Sequence, residues 1–211
     1  MKIDRIRATT AGDDGKGGEP VRTPLEHVRH ALGLDDAKDA RPALVYFHWP
    51  HQDPKQGKTT ETLCGRVLDD EDSARWGMLF RCVQVDMAKS DEKLVELLGP
   101  GDKPSFALVA QDGTIVARIP ACQTALKFQK AMKEALPKFP EYAKSVEKSL
   151  ASLDASLEKA RATVKAGELA EAKPLYDQLR WTKVRVGPQY DLAVKEGWDL
   201  DQRLEAQKRA K

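Results

Sequence analysis

The residues able to do chemistry are few and scattered. Cys64, Cys82 and Cys122 are the three cysteines, widely spaced and never in a C-x-x-C pair. An odd number of thiols without a paired motif argues against a disulfide framework and fits a reducing compartment. Cys64 falls about two turns into a helical pattern, too far from its N-terminus to be activated much by the helix dipole. It reads as a small, buried or half-buried residue. The competing reading is a single-thiol centre for peroxide, glutathione or mixed-disulfide chemistry. Cys82 alternates with Val83 on a predicted central strand and reads as inert core. Cys122 opens a predicted helix, where a thiol pKa can be depressed.

His48 and His51 stand close to Asp53, a set of ligand types suited to zinc. No further ligand has comparable placement, so they read as a strand-end histidine and a solvated loop histidine, and no metal or other cofactor is expected. Gln56-Gly57-Lys58-Thr59-Thr60 is similar to part of a phosphate-binding loop. That loop needs a glycine five residues before its G-K-T, where this chain has Gln52, and the nucleotide reading fails. Asp69, Asp70, Glu71 and Asp72 read as a turn and helix start, without a base or nucleophile to work with. Among the tryptophans, Trp76 fits a helix core. Trp181 and Trp198 fall in a helical region where they pack internally or against a partner, and Trp49-Pro50 fits a loop as an anchor or as packing.

The elements that must position these residues follow from periodicity. Residues 1–23 read as a flexible arm, rich in Gly, Asp and Pro from about residue 9, with Ile3 and Ile6 before that forming a short edge strand or a frayed end. Thr23-Pro24 is an N-cap followed by Pro at the first helical position, with Leu25, Val28, Ala31 and Leu32 as an apolar face and Gly33 as its close. Ala43-Leu44-Val45-Tyr46-Phe47 is a continuous β-forming run bounded by Pro42 and Pro50, a central strand. A helical segment follows from Thr59, then a second piece through Trp76. Strands are predicted at 80–86 and 106–110, a helix between them at 91–98, a hairpin at Asp112-Gly113, a returning strand at 115–119 and a helix at 124–136.

That order mixes β-α-β units with a terminal antiparallel hairpin. Over 24–138 the pieces RPALVYFH, VLDDEDSA, FRCVQVDM and PSFALVAQDGTIV resemble a thioredoxin-like domain. The resemblance implies an α/β fold with a central mixed sheet flanked by helices. It also implies a redox loop after the first central strand, and there the thiols are missing. One register puts Gln52 and Lys55 at the cysteine positions, the other Gly57 and Thr60, because the loop is about five residues longer than the family's. Dithiol–disulfide exchange is therefore not expected. Pro104 falls where the family carries a cis-proline, and Lys103 replaces the small or β-branched residue usual before it.

Residues 139–211 read as a C-terminal helical extension. Tyr142, Val146, Leu150, Leu153, Leu157, Ala160 and Val164 form an amphipathic seam, which packs on the parent domain or on a partner. Gly167 and Gly187-Pro188 separate it into helices. GELAEAKPLYDQL, containing Pro174, resembles half of a tetratricopeptide unit, but a solenoid needs about three.

The 211 residues carry 41% hydrophobic and 32% charged side chains and a formal net charge of +2, with a pI near 8.3. Charges of both signs are interspersed, so nucleic acid is not expected. No run approaches the roughly 18 apolar residues of a membrane span. The N-terminus has no apolar signal region. A cytoplasmic protein is expected, although a mature exported domain behind Met1 would read the same. The function expected is a redox-inactive module that binds another protein or a second copy of itself through Trp49, Pro50, His51, Asp53, Lys103, Pro104 and the C-terminal helices. The alternative is a thiol oxidoreductase using Cys64.

Overall fold

The computed structural model describes residues 23–35, 39–48, 67, 69–87, 89–99, 105–120 and 124–209. The chain divides into two compact units, Met1–Tyr142 and Ala143–Lys211.

In the first unit, helix α1 (Pro24–Ala31) begins with a capping box. The Thr23 backbone N–H donates to the Glu26 carboxylate at 2.8 Å, and the Glu26 N–H donates to the Thr23 hydroxyl at 3.3 Å. Pro24 occupies the first turn, where an N–H would have no intrahelical partner. The Gly33 N–H bonds to His30 O and the Leu34 N–H to Arg29 O, ending the helix where the glycine was expected to end it. Strand β1 (Ala43–His48) follows, then α2 (Glu71–Gly77), β2 (Arg81–Asp86), α3 (Glu92–Leu98), β3 (Ser105–Val109), β4 (Ile115–Pro120) and α4 (Ala125–Ala135).

These strands form one mixed sheet in the order β2-β1-β3-β4. β1 runs parallel to β2, with Val45 opposite Val83, and antiparallel to β3, with Val45 opposite Ala107. The unit is thus α/β. Ala43, Val45 and Phe47 share one core with Val28 of α1, Leu32 just after it, and Leu94 and Leu98 of α3. Alternate residues face the other way: Tyr46 packs on Phe106 at 5.5 Å, and Phe106 on Phe128 of α4 at 5.2 Å. Cover on both faces is why β1 reads as an unbroken apolar run rather than an alternating one.

Two expectations are corrected. The strand at 80–86 is not central: β2 is outermost among the described strands. Only Val83 and Val85 are buried in it, and Cys82 is half-buried rather than core, the pattern of a strand paired on one side. Trp76 is also only half-buried, because the inward positions of the two-turn helix α2 belong to the small residues Ser73 and Gly77.

The hairpin between β3 and β4 closes with Ala110 N–H donating to Thr114 O at 2.8 Å and Gly113 N–H donating to Ala110 O at 2.9 Å. Gly113 has φ +91°, and a Cβ there would fall on the Leu25 carbonyl oxygen. The turn therefore needs glycine twice, for its backbone angle and for its close approach to α1.

The second unit holds α6 (Leu169–Arg180), α7 (Pro188–Arg209) and most of α5 (Pro140–Lys165). Leu153, Leu157 and Ala160 of α5 share a core with Ala172, Tyr176 and Leu179 of α6 and Tyr190, Ala193 and Leu200 of α7. Leu150 and Val164 of the seam are half-buried. Pro174 lies inside α6 at an exposed position. No helix among the described residues is long and apolar enough to cross a membrane.

Candidate functional site

The pairing pattern brings three chain ends to one edge of the sheet. β1 ends at His48, opposite Asp86 at the end of β2, and β3 begins at Ser105 on the other side of β1. The carboxyl ends of the parallel strands β1 and β2 lie here, the end at which open α/β sheets commonly bind ligands. His48 presents its ring edgewise to Tyr46 at 6.2 Å. Its carbonyl accepts the Met87 N–H at 2.8 Å. Its Nδ1 is buried and has no hydrogen-bond partner among the described residues. The Ser90 hydroxyl donates to the Asp86 carbonyl at 2.5 Å. Trp49 and Pro104 are the sequence neighbours of His48 and Ser105. These two, with Pro50, His51, Asp53, Lys103, Cys64 and Cys122, lie outside the described residues, as do Gln52, Lys55, Gly57 and Thr60.

At the other end of β1 and β2, side chains satisfy the carbonyls of the α2–β2 turn. Arg41 Nη1 donates to Met78 O at 3.2 Å and sits 3.5 Å from Phe80 O. The Tyr142 hydroxyl donates to Leu79 O. The Cys82 thiol donates to Gly77 O at 3.3 Å. Asp39 holds the guanidinium through Nη2 at 2.7 Å, and this hydrogen bond keeps the Asp39 carboxyl below its usual range. Burial pushes the Tyr142 phenol up to about 12, which keeps it a donor. Gln111 Nε2 ties the hairpin in, donating to Arg41 O at 2.7 Å and Asp39 O at 3.0 Å. This cluster anchors a turn: its polar groups are used on backbone carbonyls, and Cys82 is part of that anchoring. Among the described residues, no group of three or more His, Cys, Asp or Glu side chains is placed to hold a metal ion.

The helical unit carries its own polar links. Arg161 of α5 reaches Glu196 of α7 at 2.6 Å through Nη2, and Tyr176 of α6 donates to the same carboxylate at 2.9 Å. The hydrogen bonds from Arg161 hold the Glu196 carboxyl below its ordinary value. On a neighbouring edge Arg180 donates to Asp201 at 2.8 Å and lies 4.9 Å from the Trp198 ring centroid. Arg185 stacks on Trp181 at 5.3 Å. Trp198 is 60% exposed and Trp181 74% exposed. Neither Trp181 nor Trp198 is internal packing, one of the two alternatives the sequence left open.

The cations beside Trp181, namely Lys183 and Arg185, are functional candidates that motif reading passes over. Their signal is compositional: no Asp or Glu occurs from Gln178 to Tyr190. No family model matches the sequence, and no curated protein does.

Proposed function

We propose that residues 24–138 are a thioredoxin-like domain that has lost its redox centre, and that the protein is a binding module for another protein. The reading is carried by β1. It is an inner strand of the order β2-β1-β3-β4, parallel to one neighbour and antiparallel to the other, and the sequence after it contains no C-x-x-C. Without paired thiols, the chemistry of that fold has no nucleophile and no resolving group. What remains is a sheet edge with the sequence Trp49-Pro50 directly after it, and a helical unit with two outward tryptophans. Buried aromatic anchors dominate protein–protein binding energy, so such residues suit partner recognition. The buried His48 Nδ1, without a hydrogen-bond partner among the described residues, supports a contact at this edge.

The experiment is affinity purification of the full tagged chain from its native cells, compared with Trp49→Ala. The expected result is a stoichiometric partner whose recovery falls by tenfold or more, roughly the effect of removing one aromatic hot spot. Equal recovery by the variant would remove the loop from the binding surface. Absence of any stoichiometric partner or self-association would count against the module itself.

A further inference from the structure

The turn between α6 and α7 has a charge pattern of its own. The chain has 33 Asp and Glu in 211 residues, yet Gln178 to Tyr190 contains Arg180, Lys183 and Arg185 and no acid. Arg180 is neutralised locally, by Asp177 at 3.3 Å and Asp201 at 2.8 Å. Lys183 and Arg185 pair with no carboxylate among the described residues; Arg185 donates to the Thr182 carbonyl at 2.9 Å. Val184 and Val186 are buried and alternate with the two cations, so the segment is pinned on one side and presents charge on the other. Trp181 stands out of the same turn, 74% exposed.

The turn adjoins a groove between α5 and α6, a cavity of about 210 Å³ that reaches Thr182. Leu153, Leu175 and Leu179 form its apolar part. Its polar part is Ser149, Ser152, Ser156 and Gln178, with Lys159 the one charged group and no carboxylate in the lining. A mainly polar, carboxylate-free lining with a few leucines in it and cations beside it suits a peptide backbone with one apolar side chain and acidic flanks.

We propose that Trp181, Lys183, Arg185 and this groove dock an acidic segment of a partner protein that carries an apolar side chain. This deepens, and rests on, the binding-module reading. A nucleic acid fits less well, because strong binding draws on many phosphate contacts and the cations here with no carboxylate partner among the described residues are Lys159, Lys183 and Arg185.

The test is titration of the full ¹⁵N-labelled chain with synthetic peptides, following the Trp181 indole N–H resonance identified through Trp181→Phe. One peptide is Glu-rich around a central Leu; the second has Lys in place of Glu; the third has Ser in place of Leu. The first is expected to shift the resonance saturably, more weakly at high salt. The other two, and the Lys183→Glu/Arg185→Glu variant, are expected to bind about tenfold or more weakly, the scale of lost hot-spot contacts. Lys183→Ala, a milder change at an exposed position, is expected to act in the same direction. Overturning results are no saturable shift, undiminished binding by the charge-reversed variant, or a shift with phosphatidylserine vesicles or oligothymidylate where the acidic peptide gives none. The chain with all three cysteines changed to serine separates the two levels. Peptide binding that disappears in it contradicts the module reading. Binding that persists in it yet ignores the charge reversal contradicts this surface alone.

Discussion

Gly113 shows how a single residue sets the geometry of the α/β unit. Its φ of +91° is one that side chains rarely adopt, and its missing Cβ leaves room for the Leu25 backbone. Gly167, at φ +85°, has open space around it. Gly113→Ala is therefore expected to cost about 2–4 kcal/mol, strain plus collision, while Gly167→Ala costs only the strain, about 1–2 kcal/mol. Equilibrium urea unfolding of both variants checks this; equal losses would contradict the close packing of the hairpin on α1. The Asp112-Gly113 turn was legible because its residue types have one common use. The approach to Leu25 was not, because nothing local in the sequence encodes which backbone a turn will meet. For the same reason the three carbonyl donors Arg41, Cys82 and Tyr142 were unreadable as a cluster: they come from separate parts of the chain and meet only at the α2–β2 turn.

Among elements, the helices are held together by a seam and by a polar link. The seam was legible from spacing, and Leu153, Leu157 and Ala160 are buried as that spacing demands. The link among Arg161, Tyr176 and Glu196 was not, since it joins three helices through long side chains whose sequence positions share no period. Its consequence is a pH dependence. Glu196 has its pKa lowered from 4.5, first by hydrogen bonds from Arg161, against the opposing effect of burial. When unfolded, Glu196 takes up a proton near that ordinary value while the folded protein still holds the carboxylate ionised. Its contribution to stability is thus complete above about pH 4.5 and is lost as pH falls through the lower folded value. Glu196→Gln is expected to lower stability near pH 7 by about 1–2 kcal/mol for a half-exposed pair. It should also flatten the decline in stability below about pH 4.5. Circular dichroism during urea unfolding at several pH values measures both, and an unchanged acid slope would show that Glu196 is not the titrating link.

At the scale of the molecule, one unit carries a sheet edge that is a candidate for contact, and the other carries a helical surface with outward tryptophans. The α/β character and the β3–β4 hairpin were open to sequence reading, because β1 is a run of apolar β-formers and the hairpin has a turn signature. The position of β2 in the sheet was not, since Arg81, Cys82, Gln84 and Asp86 mix polar and small residues that fit an edge or an inner strand alike. The proposed loss of redox chemistry rests on residue types alone, and so it can be tested without knowing the partner's name. The most direct measurement compares the partner complex of the native chain with that of the Cys64→Ser/Cys82→Ser/Cys122→Ser chain, by size-exclusion with light scattering under non-reducing conditions. A binding module predicts the same stoichiometry and affinity within about twofold, far less than the tenfold that about 1.4 kcal/mol represents. Loss of the complex, or its recovery from the native chain only as a mixed disulfide, would contradict the account and make a thiol the functional group.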